Sequence, residues 1–573
     1  MKDKINFTFI ISGLCGLCVG IFVYSGWQQA IEPAQVISGI VSYPLGSPVY
    51  VYSIKAWSII SQLLAVLLRL GFSEKVLSIL LSGIIGMISY QALALSVLSL
   101  SRNVLFSIIV PFFINYTKLF CSRGITYPVW LMGSVSSTYG IIWLPYILLV
   151  IALISLKRYK LGGLLFGLAP AIHPSAGLWF TIVISLCFLW NRTKIRKMSK
   201  YILIGYLITA VSLFIQFRSL PIVSSAPEYM AAFVNHWDAH RFKFPLTSLW
   251  QVLPGLLISL VWIKRKDLPE DSIFLLKCCV ISVVVGMFSV VYWLPNAPSI
   301  LLTLMPSRIF NFTIAVFVIL LLGLLWRYDN CQRIFLIFAI SSYPKQACLL
   351  VLCALILLLR DKKIIGLVVS SAVIAFILRA ILGLDPIPLA RYLFVPALIL
   401  SVFKSSYQVS TRKTVLVVLG ISVILMGGRV IKGNSFPQDE AFFTEISKRE
   451  GMLLTSSYMK HVQLRTRRPI LLDGGSLDYL PYASEVGPKM NHILKQVYGV
   501  DIFNPPEDTW RSGGLSRESG KDLWESRTQE QWIILSRQFG FTDILTWSDW
   551  RLQLPVVIRN SNFILYSIHQ NNR

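Results

Sequence analysis

Long apolar stretches separated by short polar segments run through the first three quarters of the chain. The apolar runs are about 17 to 25 residues long, which is the length a helix needs to cross a bilayer. In lipid such segments must be helical, because a helix pairs its own backbone N–H and C=O groups. The pattern predicts an all-α polytopic membrane domain over residues 1–431, with about 13–14 membrane helices.

Clusters of basic residues between the apolar runs predict the topology. Short Lys/Arg clusters next to membrane segments mark the cytoplasmic side, and here they include Lys2/Lys4, Arg102, residues 157–160 and Arg412-Lys413. Their alternation with the apolar runs predicts a multi-pass protein of the cytoplasmic membrane, with a cytoplasmic N-terminus. Everything after about residue 432 then lies outside.

Two segments depart from a plain bundle of spanning helices. Trp57–Leu70 is too short and too interrupted to span, which predicts a helix that lies along the interface or dips into the membrane. Leu161–Ile172 and Ser175–Trp190 are joined at His173-Pro174, where proline disfavours helix at the preceding residue. The first of this pair would rise only about 18 Å. His173 is therefore predicted to lie at a helix break near the outer boundary, facing a cavity.

The segment 432–573 is predicted to be a soluble extracytoplasmic α/β domain. Short apolar runs with strand character alternate with segments of helical spacing, which favours a small mixed fold. The predicted strands are Gly451–Ser456, Pro469–Asp473, Asp543–Thr546 and Phe563–Ile568, and the predicted helices are Glu485–Val497 and Glu530–Phe539. The segment has no cysteine, so it cannot use disulfides and must rely on its own core.

Composition and charge agree with a membrane protein and exclude a nucleic-acid binder. The chain is 55% hydrophobic and only 14% charged, with a mean hydropathy of +0.66. Its net charge is +26, but residues 433–573 contain 16 basic and 16 acidic residues and are neutral. The excess charge lies in the short clusters between apolar runs, whereas a nucleic-acid binder concentrates it on a soluble face. We expect membrane lipids, and no nucleic acid, as partners.

Ionisable residues near membrane depth are the candidates for chemistry. Glu32 stands alone between Asp3 and Glu74, just beyond the first helix, where partial burial could tune it as a general base. The competing interpretation is an ordinary solvated loop residue. His173, at the helix break, is a second candidate, and its alternative role is to cap the broken helix.

The densest polar cluster of the membrane part is the segment from Asn235 to Arg241. It contains His236, Asp238, His240 and Arg241. A His-x-Asp-x-His pattern could bind a divalent metal or place an acid/base pair beside a cation that anchors phosphate. The spacing fits no zinc signature, so we assign no metal ligand, and a divalent metal cofactor is possible without being required. The alternative is an exposed amphipathic loop.

Two arginines begin apolar runs on the predicted outer side. Arg308 and Arg391 carry planar guanidinium groups that suit phosphate and keep their charge when buried. Either side chain could instead extend toward lipid headgroups.

The layout resembles the GT-C superfamily of membrane glycosyltransferases, which use polyprenyl-phosphate-linked sugars. The resemblance is carried by Ile31-Glu32-Pro33 after the first helix, by Trp57–Leu70, and by Gly167–Pro170 leading into His173-Pro174. It covers about residues 5–430. It implies a GT-C-like fold in a bacterial inner membrane, with the C-terminal domain in the periplasm. Family members often have two acids in the first loop, whereas this chain has Glu32 only.

The resemblance also implies roles for the candidate residues. Glu32 would be the general base, with Asp238 and His173 beside it at the catalytic centre. Arg308 or Arg391 would hold the lipid phosphate, and the loop with His236, His240 and Arg241 would shape the sugar site. The implied partners are a polyprenyl-phosphate sugar donor and a glycan or lipid acceptor of the cell envelope.

Two other functions remain open at this point. An O-antigen polymerase or ligase also has many helices, but typically has one large loop late in its membrane domain. A lipid-linked-glycan transporter or an assembly scaffold would be non-catalytic, and a scaffold would tolerate loss of Glu32. In that case the C-terminal domain would bind an envelope-assembly protein.

Overall fold

The structure, a computed structural model, describes twelve parts of the chain and is mostly helical. The described residues are 2–117, 138–191, 195–218, 225–238, 249–263, 268–289, 303–325, 436, 439–457, 459–472, 476–506 and 514–568. The helices up to residue 325 are α1 Lys2–Val23, α2 Ile31–Ser38, α3 Pro48–Lys55, α4 Ile59–Arg69, α5 Glu74–Ser101, α6 Val104–Thr117, α7 Thr138–Ser155, α8 Tyr159–Ile172, α9 Pro174–Asn191, α10 Ile195–Phe217, α11 Pro227–Ala232, α12 Leu249–Ile263, α13 Glu270–Met287 and α14 Ile309–Leu325.

Four of the described helices are long and apolar enough to cross a membrane. They are α1, α5, α7 and α10. Helices α3 and α4 would make a fifth span only if taken together, and they meet at an angle of 108°. This sharp bend agrees with the expectation that Trp57–Leu70 does not span. The predicted total of 13–14 helices counts segments within residues 326–435. Those residues lie outside the described part of the chain.

The predicted break at His173 is confirmed. Helix α8 ends at Ile172, His173 has an extended backbone with φ −149° and ψ 103°, and α9 begins at Pro174. The backbone N–H of Ala176 donates to His173 Nδ1 at 3.3 Å, so the imidazole caps the first turn of α9. The capping role proposed as the alternative for His173 is therefore present.

Glycines bring α1 and α5 into close contact. A Cβ atom on Gly16 would lie 2.3 Å from the carbonyl oxygen of Gly86, and one on Gly86 would lie 2.2 Å from that of Gly16. One turn further along, a Cβ on Gly20 would lie 2.3 Å from the carbonyl oxygen of Ser82. Small residues at four-residue spacing let two apolar helices approach until their backbones touch, which is a packing mode typical of membrane helices.

Members of two basic clusters meet at one end of the bundle. At one end, Arg158 donates to the carbonyl oxygen of Lys2 at 3.0 Å, and Arg102 pairs with Asp271 at 2.6 Å. These residues belong to basic clusters predicted to be cytoplasmic. Glu32 follows the opposite end of α1, and Glu74 begins α5 at that same opposite end. The gathering of the basic clusters at one end agrees with the predicted alternation, while the orientation in a membrane stays a prediction.

The C-terminal segment forms a four-stranded mixed sheet with helices around it. The strands are β1 Met452–Thr455, β2 Phe541–Trp547, β3 Val556–Arg559 and β4 Phe563–Ser567, in the order β1-β2-β4-β3. The helices are α15 Glu440–Ser447, α16 Val462–Thr466, α17 Gly487–Ile493, α18 Lys521–Ser526 and α19 Gln529–Phe539. Strand β1 is parallel to β2, and β2 and β3 are antiparallel to β4.

The predicted strands and helices of this segment are largely confirmed. The exception is Pro469–Asp473, where Ile470 makes only an isolated bridge with Leu453. Strand β3 was not predicted, because Val556–Arg559 is mostly exposed and lacks the apolar alternation of a half-buried strand.

The core of the C-terminal domain includes residues from two segments that connect the N-terminal helices, and both segments were predicted to be outer loops. Phe233, Val234 and Trp237 of a π-helical turn after α11 are buried in it, together with Val49 of α3. The indole N–H of Trp237 donates to the carbonyl oxygen of Ile502 at 2.7 Å. The domain therefore does not complete its core alone, which differs from the expectation of a self-contained core.

The close contact of α1 and α5 gives a stability prediction. Gly16→Ala places a methyl group against backbone that has no room to move, and we expect a loss of about 1–3 kcal/mol. The matched control is Gly13→Ala, whose Cβ would meet the end of the flexible Gln91 side chain instead. Thermal unfolding in detergent should show a clearly lower midpoint for Gly16→Ala only. Equal midpoints for the two variants would contradict this packing.

Candidate functional site

Glu32 lies in the first turn of α2, a helix held between the membrane part and the C-terminal domain. Pro33 is tolerated there because the first turn has no intrahelical partner for its missing N–H. The helix ends at Gly39, whose φ of +83° suits glycine. Ile31, Ala34 and Gln35 are fully buried, while the Glu32 side chain is 18% exposed. Glu32 is therefore a half-buried carboxylate and not a freely solvated loop residue.

The partner of Glu32 is a histidine of the C-terminal domain. His461 Nδ1 lies 3.1 Å from Glu32 Oε1, and the His461 side chain is only 14% exposed. His461 directly precedes α16, and Arg467 directly follows it. Arg467 binds Glu74 with two hydrogen bonds of 2.7 Å, one from Nε and one from a terminal nitrogen. The short helix α16 thus contacts two acids of the membrane part, one at each end.

Two glutamines connect these ion pairs. Gln463 Nε2 donates to the backbone carbonyl oxygen of Glu32 at 2.9 Å, and Gln35 Nε2 donates to Glu74 Oε1 at 3.1 Å. Tyr43 donates its hydroxyl to Gln463 Oε1 at 2.6 Å. Leu464, 1% exposed, packs into the core that α2, α4 and α5 share. Apolar burial and a connected polar network together hold α16 on the membrane part.

The hydrogen bond to Glu74 raises the pKa of Arg467 above its ordinary value. The guanidinium stays charged at any physiological pH. Its two hydrogen bonds to one carboxylate strengthen the contact and restrict its geometry. This ion pair fixes the orientation of α16, and therefore the position of His461 against Glu32.

His173 and Arg308 line one narrow cavity on the same side of the bundle. Its other walls include Trp143, Trp179, Phe180 and Met305. Because His173 Nδ1 accepts the hydrogen bond from Ala176, a neutral imidazole carries its proton on Nε2. Trp179 Nε1 donates to the carbonyl oxygen of Leu304 at 2.8 Å and fixes the chain just before Arg308. The cavity offers a hydrogen-bond donor, a guanidinium group and indole surfaces.

A run of hydroxyl groups connects the Glu32 region with the His173 cavity. Ser58 Oγ donates to the carbonyl oxygen of Ile172, the residue before His173, at 3.3 Å. Ser61 Oγ donates to the carbonyl oxygen of Ala30 at 3.2 Å and also bonds to the Tyr139 hydroxyl. The two predicted centres therefore belong to one neighbourhood, with hydroxyl groups between them.

The remaining candidate residues lie elsewhere or outside the described residues. Asp238 is 1% exposed and follows the π-helical turn that enters the C-terminal core, and His236 on that turn is exposed. His240, Arg241 and Arg391 lie outside the described residues. Within the part of the chain that the structure describes, no group of three or more His, Cys, Asp or Glu side chains is arranged to hold a metal ion.

Sequence reasoning missed the residues that complete the site. His461, Gln463 and Arg467 come from a segment more than 400 residues after Glu32 along the chain. Nothing in the run of basic residues from Arg465 to Arg468 indicates an acidic partner among the N-terminal helices. The acidic partner of Arg467 is Glu74, at the start of α5.

The ion pair between Arg467 and Glu74 generates a prediction about docking. Glu74→Ala leaves Arg467 without its acid and removes one acceptor of Gln35 Nε2, so the hold on α16 weakens. We expect amide hydrogen exchange in Val462–Thr466 to become roughly tenfold faster or more, as a local opening costs less free energy. The control is Glu445→Ala, which removes an exposed ion pair with Lys448 in the same domain. Unchanged protection in Glu74→Ala would show that the ion pair does not hold the helix.

Comparison with known proteins assigns no family to the chain. No protein-family model matches it, and no curated protein sequence matches it. The function has to be argued from the Glu32–His461 pair, the His173–Arg308 cavity and the resemblance in layout.

Proposed function

We propose that the protein is a membrane glycosyltransferase of GT-C type. It would transfer a sugar from a polyprenyl-phosphate donor to a hydroxyl group of a cell-envelope glycan or lipid, at the outer leaflet of a bacterial inner membrane. The observation that carries the proposal is the half-buried Glu32 carboxylate, held by His461 at the junction of the first outer loop and the C-terminal domain.

The placement of Glu32 favours chemistry over a solvated surface role. A carboxylate that is partly removed from water and oriented by a fixed partner has the properties of a general base or of a group that positions one. Sugar transfer needs removal of a proton from the acceptor hydroxyl as its oxygen bonds to the anomeric carbon. The Glu32–His461 pair provides proton-accepting capacity beside the apolar bundle.

The His173–Arg308 cavity supplies the second requirement of the reaction. When the sugar leaves its carrier, negative charge grows on the lipid phosphate and needs stabilisation by fixed donors. The Arg308 guanidinium suits phosphate oxygens, and His173 Nε2–H is a second donor toward the cavity. Apolar walls between the helices suit the isoprenoid tail. In this proposal His173 binds the leaving group, whereas the sequence placed it at the catalytic centre.

The C-terminal domain acts as part of the enzyme in this proposal. It contributes His461 and Gln463 to the environment of Glu32, and its core includes Trp237 from an outer loop. The acceptor would approach between this domain and the membrane, because only that junction presents Glu32. A role of the same domain in binding an assembly partner stays the second possibility.

Glu32→Gln tests the proposal by removing the negative charge at nearly constant shape. We expect transfer to fall by about 10²–10⁴-fold, the usual contribution of general-base catalysis. The assay uses membranes that contain the native acceptor and a panel of radiolabelled polyprenyl-phosphate hexoses and pentoses. The control is Glu228→Gln, which changes an exposed acid in another outer loop.

The outcome separates the enzyme from a scaffold. Full transfer by folded, inserted Glu32→Gln protein would remove the catalytic role of this carboxylate. Absence of transfer by the native protein with every donor of the panel would favour a non-catalytic transporter or scaffold.

Arg308→Ala tests the phosphate site. We expect the KM for the donor to rise by about tenfold or more, because a charged contact to the lipid phosphate is worth roughly 1.5–3 kcal/mol. Arg308→Lys should recover part of the loss, since it keeps the charge without the planar fork. Arg218→Ala, at an exposed position after α10, is the control. An unchanged KM in Arg308→Ala would place the lipid phosphate elsewhere.

A further inference from the structure

We propose that His461 is the catalytic base of the site and that Glu32 positions it. The inference rests on the proposed sugar transfer and refines it, because it moves the proton from the carboxylate to the imidazole of the C-terminal domain. Three separate observations carry it: the tautomer that Glu32 imposes, the unpaired second ring nitrogen, and the backbone conformation of His461.

The contact with Glu32 determines which ring nitrogen is basic. An ionised carboxylate can only accept hydrogen bonds, so His461 Nδ1 donates its proton to Glu32 Oε1 across the 3.1 Å distance. In the neutral imidazole the proton is then on Nδ1, and Nε2 has a free lone pair. A carboxylate that holds a histidine in one tautomer and stabilises the imidazolium formed later is a known arrangement for general-base catalysis.

The lone pair of His461 Nε2 has no hydrogen-bond partner among the described residues. The atom is buried, with almost no exposed surface. Leaving a buried polar atom unpaired costs about 1–3 kcal/mol, and such atoms in native structures call for an explanation. A ligand that donates a hydrogen bond would remove the cost. A hydroxyl group is such a donor, and it is the nucleophile that sugar transfer requires.

The backbone of His461 is held in an uncommon conformation. Its φ is +59°, in the left-handed region that non-glycine residues seldom occupy. Arg467, at the other end of α16, has a φ of +53°. Arg102, Lys157 and Met305 share this backbone elsewhere in the described residues, but His461 and Arg467 flank one short helix and contact Glu32 and Glu74. Strained residues persist where surrounding contacts fix them and cluster at functional sites, so α16 is built to present these two side chains.

Other contacts hold Glu32 for this positioning role. Its backbone carbonyl accepts from Gln463, the second residue after His461. Gln463 also donates to Gln35, which in turn donates to Glu74. The carboxylate and the imidazole are therefore fixed to the same short helix. This rigidity suits a pair in which one group orients the other.

The proposed transfer moves one proton and exchanges one bond at the anomeric carbon. The acceptor hydroxyl gives its proton to His461 Nε2, and its oxygen lone pair forms the bond to the anomeric carbon of the sugar. The bond between that carbon and the phosphate oxygen breaks, and its electron pair leaves with the polyprenyl phosphate. Glu32 stabilises the resulting imidazolium, which returns the proton to solvent before the next cycle.

The test compares three His461 variants with the donor panel described above. We expect His461→Ala to lower the transfer rate by about 10²–10⁴-fold. Added imidazole should raise the rate of this variant at least tenfold, because it can fill the space that the side chain leaves. His461→Gln can still donate to Glu32 but cannot take a proton. It should be as slow as His461→Ala while keeping native hydrogen-exchange protection of Val462–Thr466. His461→Ala combined with Glu32→Gln should be no slower than either single variant, because the pair acts as one unit.

The control is His492→Ala, which removes another histidine of the C-terminal domain whose contact is with Gln538. It should keep native transfer and show no response to imidazole. Native transfer by His461→Gln, with Glu32→Gln inactive, would overturn the inference and leave sugar transfer with Glu32 as the direct base. Absence of imidazole rescue in folded His461→Ala would also overturn it. Absence of transfer by the native protein would overturn the inference together with the proposed function.

Discussion

The docking of one short helix of the C-terminal domain on two acids of the membrane part is the contact on which the site depends. Arg467 binds Glu74 in two hydrogen bonds, His461 meets Glu32, and Leu464 enters the core between α2, α4 and α5. Burial of the apolar contact favours association of the two parts, and the charged hydrogen bonds determine the orientation of the helix. Without this docking Glu32 would be an isolated carboxylate in the first turn of α2.

The same contact explains why the two parts of the chain are interdependent. The C-terminal core includes Trp237 and its neighbours from an outer loop, while the membrane part receives Leu464 in return. Each part completes a core of the other. Substitutions in this junction should therefore change both folding and activity, whereas those at the basic end of the bundle, near Lys2 and Arg158, should change folding alone.

Sequence reasoning predicted what depends on local pattern. Hydrophobic length predicted the apolar helices, proline predicted the break at His173, and alternating short runs predicted three of the four strands. Glu32 was identified because it is the lone acid of its loop. The pairing of His461 with Glu32 and of Arg467 with Glu74 could not be predicted. Contacts across some 400 residues depend on tertiary packing, which local sequence patterns do not indicate. The roles of His240, Arg241 and Arg391 stay predictions.

The central claim is that an acceptor hydroxyl meets the Glu32–His461 pair while Arg308 holds the donor phosphate. It is tested most directly by an experimental structure of the full chain in lipid nanodiscs with a non-hydrolysable polyprenyl-phosphonate sugar and an acceptor glycan. The account predicts the phosphonate within hydrogen-bond distance of Arg308 and an acceptor oxygen about 3 Å from His461 Nε2 or Glu32. The account would be contradicted if both ligands bound elsewhere while Glu32 and His461 kept the contact described above.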